Sequence, residues 1–121
     1  MYAIVLENIY QLSVHRNGCR VVQTSFDVFP EAWLTIMINR LIQHNNIREC
    51  SFDFNGNHVI QKILITINQL KSNELYSRFI IEIENNVLDY SMHEYCCRIV
   101  QRLIENCSQA LIYCLIEKIL E

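Results

Sequence analysis

The chain has 121 residues, 51% of them hydrophobic and 19% charged, with 10 basic and 13 acidic side chains and a net charge of −3. That length suggests one domain, and the composition can bury a core, which excludes a disordered chain. The acidic balance argues against a protein that holds nucleic acid by bulk charge, though it leaves room for a local basic strip. Two glycines and one proline are too few for the tight turns of an all-β fold.

Six cysteines occur, with Cys96 and Cys97 adjacent and no C-x-x-C pair. Neither a zinc-ligand spacing nor a secreted disulfide framework is indicated, so reduced thiols in a cytoplasmic or nuclear protein are expected. The start, Met1-Tyr2-Ala3-Ile4-Val5-Leu6-Glu7, lacks the length and positive flank of a signal peptide. No apolar run approaches the ~20 residues of a membrane span. The sequon Asn106-Cys107-Ser108 is read as chance.

In chain order, Ile4, Val5, Ile9 and Leu12 predict one helix over 3–13. After Asn17-Gly18, the apolar positions Val21, Val22, Phe26 and Phe29 recur at helical spacing. Pro30-Glu31 reads as a first turn, with Pro at N1. The helix that follows should turn Trp33, Leu34, Met37, Ile38, Leu41 and Ile42 inward and end at His44-Asn45-Asn46. A short segment from Arg48 to Phe54 leads to Asn55-Gly56 and a helix reaching about Ile67. Ser72 is a predicted N-cap for a helix carrying Leu75, Phe79, Ile80 and Ile83, closed by Asn85-Asn86. A third unit repeats the plan: a short segment from Val87 to His93, a helix from Glu94 to Asn106, an N-cap at Ser108 and a last helix to Glu121.

Three stretches tie these units together: Gly18-Cys19-Arg20-Val21-Val22-Gln23, Gly56-Asn57-His58-Val59-Ile60-Gln61 and Cys96-Cys97-Arg98-Ile99-Val100-Gln101. Their glutamines lie 38 and 40 residues apart. Units of short helix, helix, helix cannot bury their faces alone, so they stack into an all-α solenoid. The expected repeats are about 3–46, 47–86 and 87–121.

Within each middle helix, residues i and i+4 share a face and i+1 projects beside them. This pairs Cys19 with Gln23, Asn57 with Gln61 and Cys97 with Gln101, alongside Arg20, His58 and Arg98. Val21-Val22, Val59-Ile60 and Ile99-Val100 are expected in the core. A glutamine amide offers a donor and an acceptor and can match an adenine or a uracil edge. A neighbouring Asn adds a second amide suited to uracil, whereas Cys is small and admits a purine. Flat Arg or His side chains can stack between bases at roughly 1–3 kcal/mol each. The pattern is that of a reader of unstacked RNA, one base per repeat.

These motifs, with Ser13-Val14-His15 and Ser91-Met92-His93 ahead of the middle helices, resemble the Pumilio (PUF) family of RNA-binding proteins over nearly the whole chain. The resemblance implies that Cys-Arg-x-x-Gln reads adenine, Asn-His-x-x-Gln reads uracil, and the protein runs antiparallel to the RNA. The chain would then read 5′-AUA-3′: Cys97 and Gln101 the first A, Asn57 and Gln61 the U, Cys19 and Gln23 the last A. The order resembles repeats three to five of an eight-repeat domain, with AUA inside a UGUAUAUA-type element and the reading helices on a concave face. It further implies action on mRNA 3′ untranslated regions, repressing translation or promoting decay through co-repressors or deadenylase machinery on the convex face. Two departures stand out, Cys96 in place of a glycine and Thr24 in place of a basic residue. Spacings of 38 and 40 suggest extended third helices.

Other residues carry blander readings. Cys50, Cys107 and Cys114 are expected in the core, His15 and His93 as local bonds near a helix start, and Glu82, Glu84 and Glu117 on a solvated outer face. No metal site, cofactor, nucleophile–base pair or phosphate-cradling loop is read, so an enzyme is not expected. The alternative is an α-solenoid that binds protein and has lost productive RNA binding. A further reading is a piece of a longer protein, suggested by apolar ends (Tyr2, Ile4, Val5; Ile116, Ile119, Leu120).

Overall fold

The computed structural model describes residues 1–106, and every element within them is helical. The order is α1 (Tyr2–Glu7), α2 (Ile9–Ser13), α3 (Gly18–Val28), α4 (Glu31–Leu41), α5 (Asn46–Ser51), α6 (Gly56–Leu70), α7 (Asn73–Asn85), α8 (Val87–Met92) and α9 (Cys96–Asn106). The short helices α2, α5 and α8 open the three units, and the middle helices α3, α6 and α9 pack side by side. The third helices of the first two units are α4 and α7. The predicted N-cap at Ser108, the last helix, Cys107, Cys114, Glu117 and the apolar residues Ile116, Ile119 and Leu120 lie outside the described residues.

The core follows the helical period. Val22, Val59, Ile60, Ile99 and Val100 of the middle helices are buried, as are Leu34, Met37, Ile38 and Leu41 of α4 and Leu75, Phe79, Ile80 and Ile83 of α7. Ser72 caps α7, its hydroxyl accepting from the Leu75 amide. A serine recurs near the end of each short helix, and the Ser13 and Ser51 hydroxyls donate back to Ile9 O and Ile47 O at 2.7 and 2.6 Å.

Several expectations are corrected. The helix read over 3–13 breaks at Asn8, whose side-chain amide donates to Ile4 O at 2.9 Å. The α7–α8 junction does the same at Asn86, whose amide donates to Glu82 O at 2.9 Å. α1 thus meets α2 at Asn8 as α7 meets α8 at Asn86. Pro30 is the N-cap of α4 rather than N1, its ψ of 149° keeping it extended. Val21 and Trp33 are not core, being 47% and 41% exposed; the Trp33 ring lies on the surface against Tyr2 and Phe29. The longer second unit extends its third helix, α7 having 13 residues against 11 in α4, and also its middle helix, α6 having 15 against 11 in α3. α6 runs past Ile67 to Leu70 and closes on Lys71 in the left-handed region, φ 55°. α9 starts at Cys96 rather than Glu94. Glu82 is half-buried rather than solvated, accepting from Tyr90 Oη at 2.8 Å and Asn86 Nδ2 at 3.0 Å.

Neighbouring units are fastened at several levels. Lys62 Nζ meets Asp27 Oδ1 at 2.6 Å, Arg48 meets Asp89 at 3.3 Å, and Arg78 donates to Asn39 Oδ1 at 3.3 Å. The Arg48 guanidinium also lies over the Phe52 ring, 4.8 Å from its centroid. Asn55 Nδ2 donates to Val14 O at 3.2 Å, and the buried Cys96 thiol donates to Ser51 O at 3.1 Å. An aromatic chain, Phe54–Tyr95–His93–Phe52–Tyr90, runs edge to face across the second junction.

Candidate nucleic-acid interface

Each middle helix begins at a tight turn that a side chain holds in place. His15 Nδ1 accepts from the Asn17 and Gly18 amides at 3.0 and 3.1 Å, and Asp53 Oδ2 from the Asn55 and Gly56 amides at 2.9 and 2.8 Å. These bonds satisfy amides that the helix itself leaves unpaired. His93 Nδ1 accepts only from the Tyr95 amide, at 3.1 Å. The two histidines therefore do the local structural work expected of them.

The glycines explain the difference. A Cβ on Gly18 would lie 2.6 Å from Leu12 O, and one on Gly56 would lie 2.6 Å from Cys50 O. Only glycine lets the short helix press on the start of the middle helix in this way. In the third unit Cys96 occupies that place, fully buried, and the chain before it opens: His93 is extended, with ψ 142°. Packing survives the substitution because the turn changes.

The side chains predicted to meet bases are brought together in the second and third units, where Asn57, His58 and Arg98 line one cleft and Gln61, Arg98 and Gln101 a recess beside it; Cys19, Arg20 and Gln23 hold the matching register on α3. Arg20, His58 and Arg98 are all exposed. Gln23 and Gln61 are half-buried and Gln101 is exposed. Their i−4 partners lie deeper: Cys19 is 5% and Asn57 3% exposed, while Cys97 is half-buried. Asn57 does not offer a second free amide, contrary to the sequence reading. Its Nδ2 donates to Asp53 O at 3.0 Å and Phe54 O at 2.7 Å, and its Oδ1 accepts from Gln61 Nε2 at 3.1 Å. The consequence is orientation, since the Gln61 nitrogen is held inward and its Oε1 and second N–H remain for a ligand. The cysteine thiols also point back, Cys19 donating to Arg16 O at 3.5 Å and Cys97 to Glu94 O at 3.6 Å. Among the described residues the Gln23 and Gln101 amides have no such partner and are not oriented.

Between the second and third units lies a cleft of about 230 Å³, lined by Phe54, Asn57, His58, Glu94, Tyr95 and Arg98. A neighbouring recess is lined by Gln61, Arg98, Gln101, Arg102 and Glu105. Cationic groups thus flank the amides although the chain is acidic overall. Phe54 was not anticipated at this site; its hydrophobic character just before Asn55-Gly56 was the available signal. Burial pushes the thiols of Cys50 and Cys96 up to about 12, with Asp53 and Glu49 adding to the first and Cys97 to the second, where Arg48 opposes. Burial also raises the Tyr90 phenol, helped by its bond to Glu82. Among the described residues, no cluster of three or more His, Cys, Asp or Glu could hold a metal ion, and no helix is long and apolar enough to cross a membrane.

These features define a helical-repeat protein whose stacked middle helices display amides between flat side chains. The Pumilio-family RNA binding repeat matches three times, over residues 8–42, 46–70 and 86–120, and the chain belongs to that family. It is 28% identical over 122 residues to the suppressor protein MPT5 of Saccharomyces cerevisiae, covering 97% of this chain and 14% of that protein. A Pumilio domain-containing protein of Schizosaccharomyces pombe is 30% identical over 117 residues, 96% of this chain and 16% of its own length. The RNA-binding domain of yeast Puf5p bound to SMX2 RNA superposes with a TM-score of 0.82 at 27% identity, over 98% of this chain and 33% of that domain. PUF-8 in complex with PBE-RNA shares the fold, with a TM-score of 0.76 at 24% identity over 92% of this chain and 32% of its own. The chain thus spans about a third of those RNA-bound structures and a smaller part of the curated relatives.

Proposed function

We propose that this chain reads single-stranded RNA with one base per unit, and that the sequence it prefers is 5′-AUA-3′ within a UGUA-type element of mRNA 3′ untranslated regions. The observation that supports this most is the three-fold recurrence of a glutamine beside an exposed Arg or His on one face of stacked helices. Gln101 with Cys97 reads the first adenine, Gln61 with Asn57 the uracil, and Gln23 with Cys19 the last adenine. Arg98, His58 and Arg20 stack on the bases. The Gln61 amide, turned by Asn57, presents an acceptor and a donor, which suits the imino N–H and a carbonyl of uracil. Asn57 acts through this orientation, and the cysteines leave room for a purine.

Three read bases contribute a gross ~3–9 kcal/mol against an association cost of ~4 kcal/mol or more. At most ~5 kcal/mol is left, so binding by the chain alone is weak, about a few tenths of a millimolar at its tightest. The RNA sits in the cytoplasm as mRNA, and the outcome is regulation of its translation or stability through recruited proteins rather than chemistry on the RNA. Selection of bound RNA from a randomised pool, followed by sequencing, tests the reading. Enrichment of AUA that disappears when Asn57, His58 and Gln61 are all changed to Ala is expected. A pool with no sequence preference, from folded protein, overturns it and favours the protein-binding solenoid.

A further inference from the structure

The residue three places before Asn57 stands out among its counterparts. It is Phe54, where the first and third units place Arg16 and Glu94, both charged and exposed. Phe54 is 68% exposed, so its ring is not there to fill the core. Its one ring partner among the described residues is Tyr95, edge to face with centroids 5.9 Å apart. Tyr95 is braced from behind by His93 at 4.9 Å, and His93 by Phe52 at 4.7 Å. The exposed ring therefore rests on a fixed aromatic chain that reaches the buried Tyr90.

Position gives this ring a use. Phe54 and Tyr95 wall the same cleft as Asn57, His58 and Arg98. An exposed aromatic side chain beside an amide, an imidazole and a guanidinium is the equipment of a single-strand nucleic-acid site. Glu94 offsets the charge of Arg98 in the same cleft, and an apolar ring is complementary to the face of a base rather than to a phosphate.

We propose that Phe54, supported by Tyr95, is a further base-contacting residue, packing on the nucleobase held between the second and third units. This rests on the RNA reading above and adds to it a contact outside the i, i+1, i+4 set. The contact is apolar, so it changes affinity without changing the salt dependence of binding. Its place at one junction makes the middle nucleotide of the three the most tightly held.

The test uses the full 121-residue chain and fluorescence-anisotropy titration with 5′-UGUAUAUA-3′ RNA at two salt concentrations. Phe54→Ala should weaken binding roughly 5–30-fold with an unchanged salt slope, and Phe54→Trp should restore it. On the same RNA with an abasic site at the uracil of AUA, Phe54→Ala and the unaltered chain should bind alike. Circular dichroism confirms that each variant is folded, as truncation of so exposed a ring allows. Phe54→Ala within twofold of the unaltered chain, while Gln61→Ala loses binding, overturns this inference and leaves the RNA reading standing; a protein-docking role for the ring would give that result. An equal loss on intact and abasic RNA overturns the base contact. Absence of binding by the unaltered chain at protein concentrations up to about a millimolar overturns both.

Discussion

Replacing Gly56 by alanine tests how the reading helix is seated. The new Cβ would lie 2.6 Å from Cys50 O and 2.8 Å from Cys50 Cα, both backbone atoms of the preceding short helix. Neither can swing aside as a side chain could, so α5 and α6 must separate. Overpacking of this kind costs about 1–3 kcal/mol, while the gain from alanine over glycine at a helical position is about 0.5–1 kcal/mol. The net expectation is a loss of about 1–2 kcal/mol, roughly a 5–30-fold rise in the unfolded fraction. The separation also strains the bonds from Asp53 to the Asn55 and Gly56 amides, and with them the turn that carries Asn57. Urea unfolding followed by circular dichroism gives the number, as a lower midpoint at constant slope. The third unit supplies the comparison, since Cys96 already holds a side chain there over an opened turn, and Cys96→Ala should not produce this clash. A Gly56→Ala protein as stable as the parent, or more stable, would refute the close-approach argument.

Other expectations follow from the same geometry. Asp53→Ala removes the acceptor for two amides and should cost about 1–2 kcal/mol, checked by the same unfolding curves; Asp53→Asn should recover part of it. Iodoacetamide at pH 8, with peptide mapping by mass spectrometry, should label half-buried Cys97 well before buried Cys50 and Cys96, whose thiols stay protonated to about 12. Because the folded state holds those two protons above the unfolded thiol range, their contribution to stability is complete below about pH 8.5. It falls as pH rises from there towards 12, and unfolding curves between pH 8 and 11 should show the decline. Asp27→Asn breaks an ion pair whose acid is 62% exposed and should cost under about 1 kcal/mol, less at high salt.

The periodic apolar positions were readable because burial in a helical repeat imposes them in each unit; Leu75, Phe79, Ile80 and Ile83 all lie in the core. The N-cap at Ser72 was readable because its hydroxyl acts locally, on Leu75. What escaped depends on neighbours. Asn8 looks like any polar residue inside an amphipathic stretch, and its role as a junction shows only beside Asn86. Val21 has the spacing of a core residue, yet it lies 47% exposed on the first unit's middle helix. The site was visible as a pattern of residue types but not as a hydrogen-bond arrangement. That Asn57 turns inward and aims Gln61 follows from carbonyls of Asp53 and Phe54 at a turn whose geometry Gly56 sets. Phe54 was hidden for another reason: a lone aromatic residue ahead of a helix acquires meaning only from the cleft it borders.

The side chains proposed to meet RNA distinguish AUA from other triplets if the reading is right. Fluorescence-anisotropy titration of the chain with UGUAUAUA RNA, beside the same RNA with AUA changed to CCC, tests it most directly. Saturable binding to the first is expected, with at least tenfold weaker binding to the second and loss of the difference when Asn57, His58 and Gln61 are changed to Ala. Equal affinity for the two RNAs, or none for either from a folded chain, would contradict it.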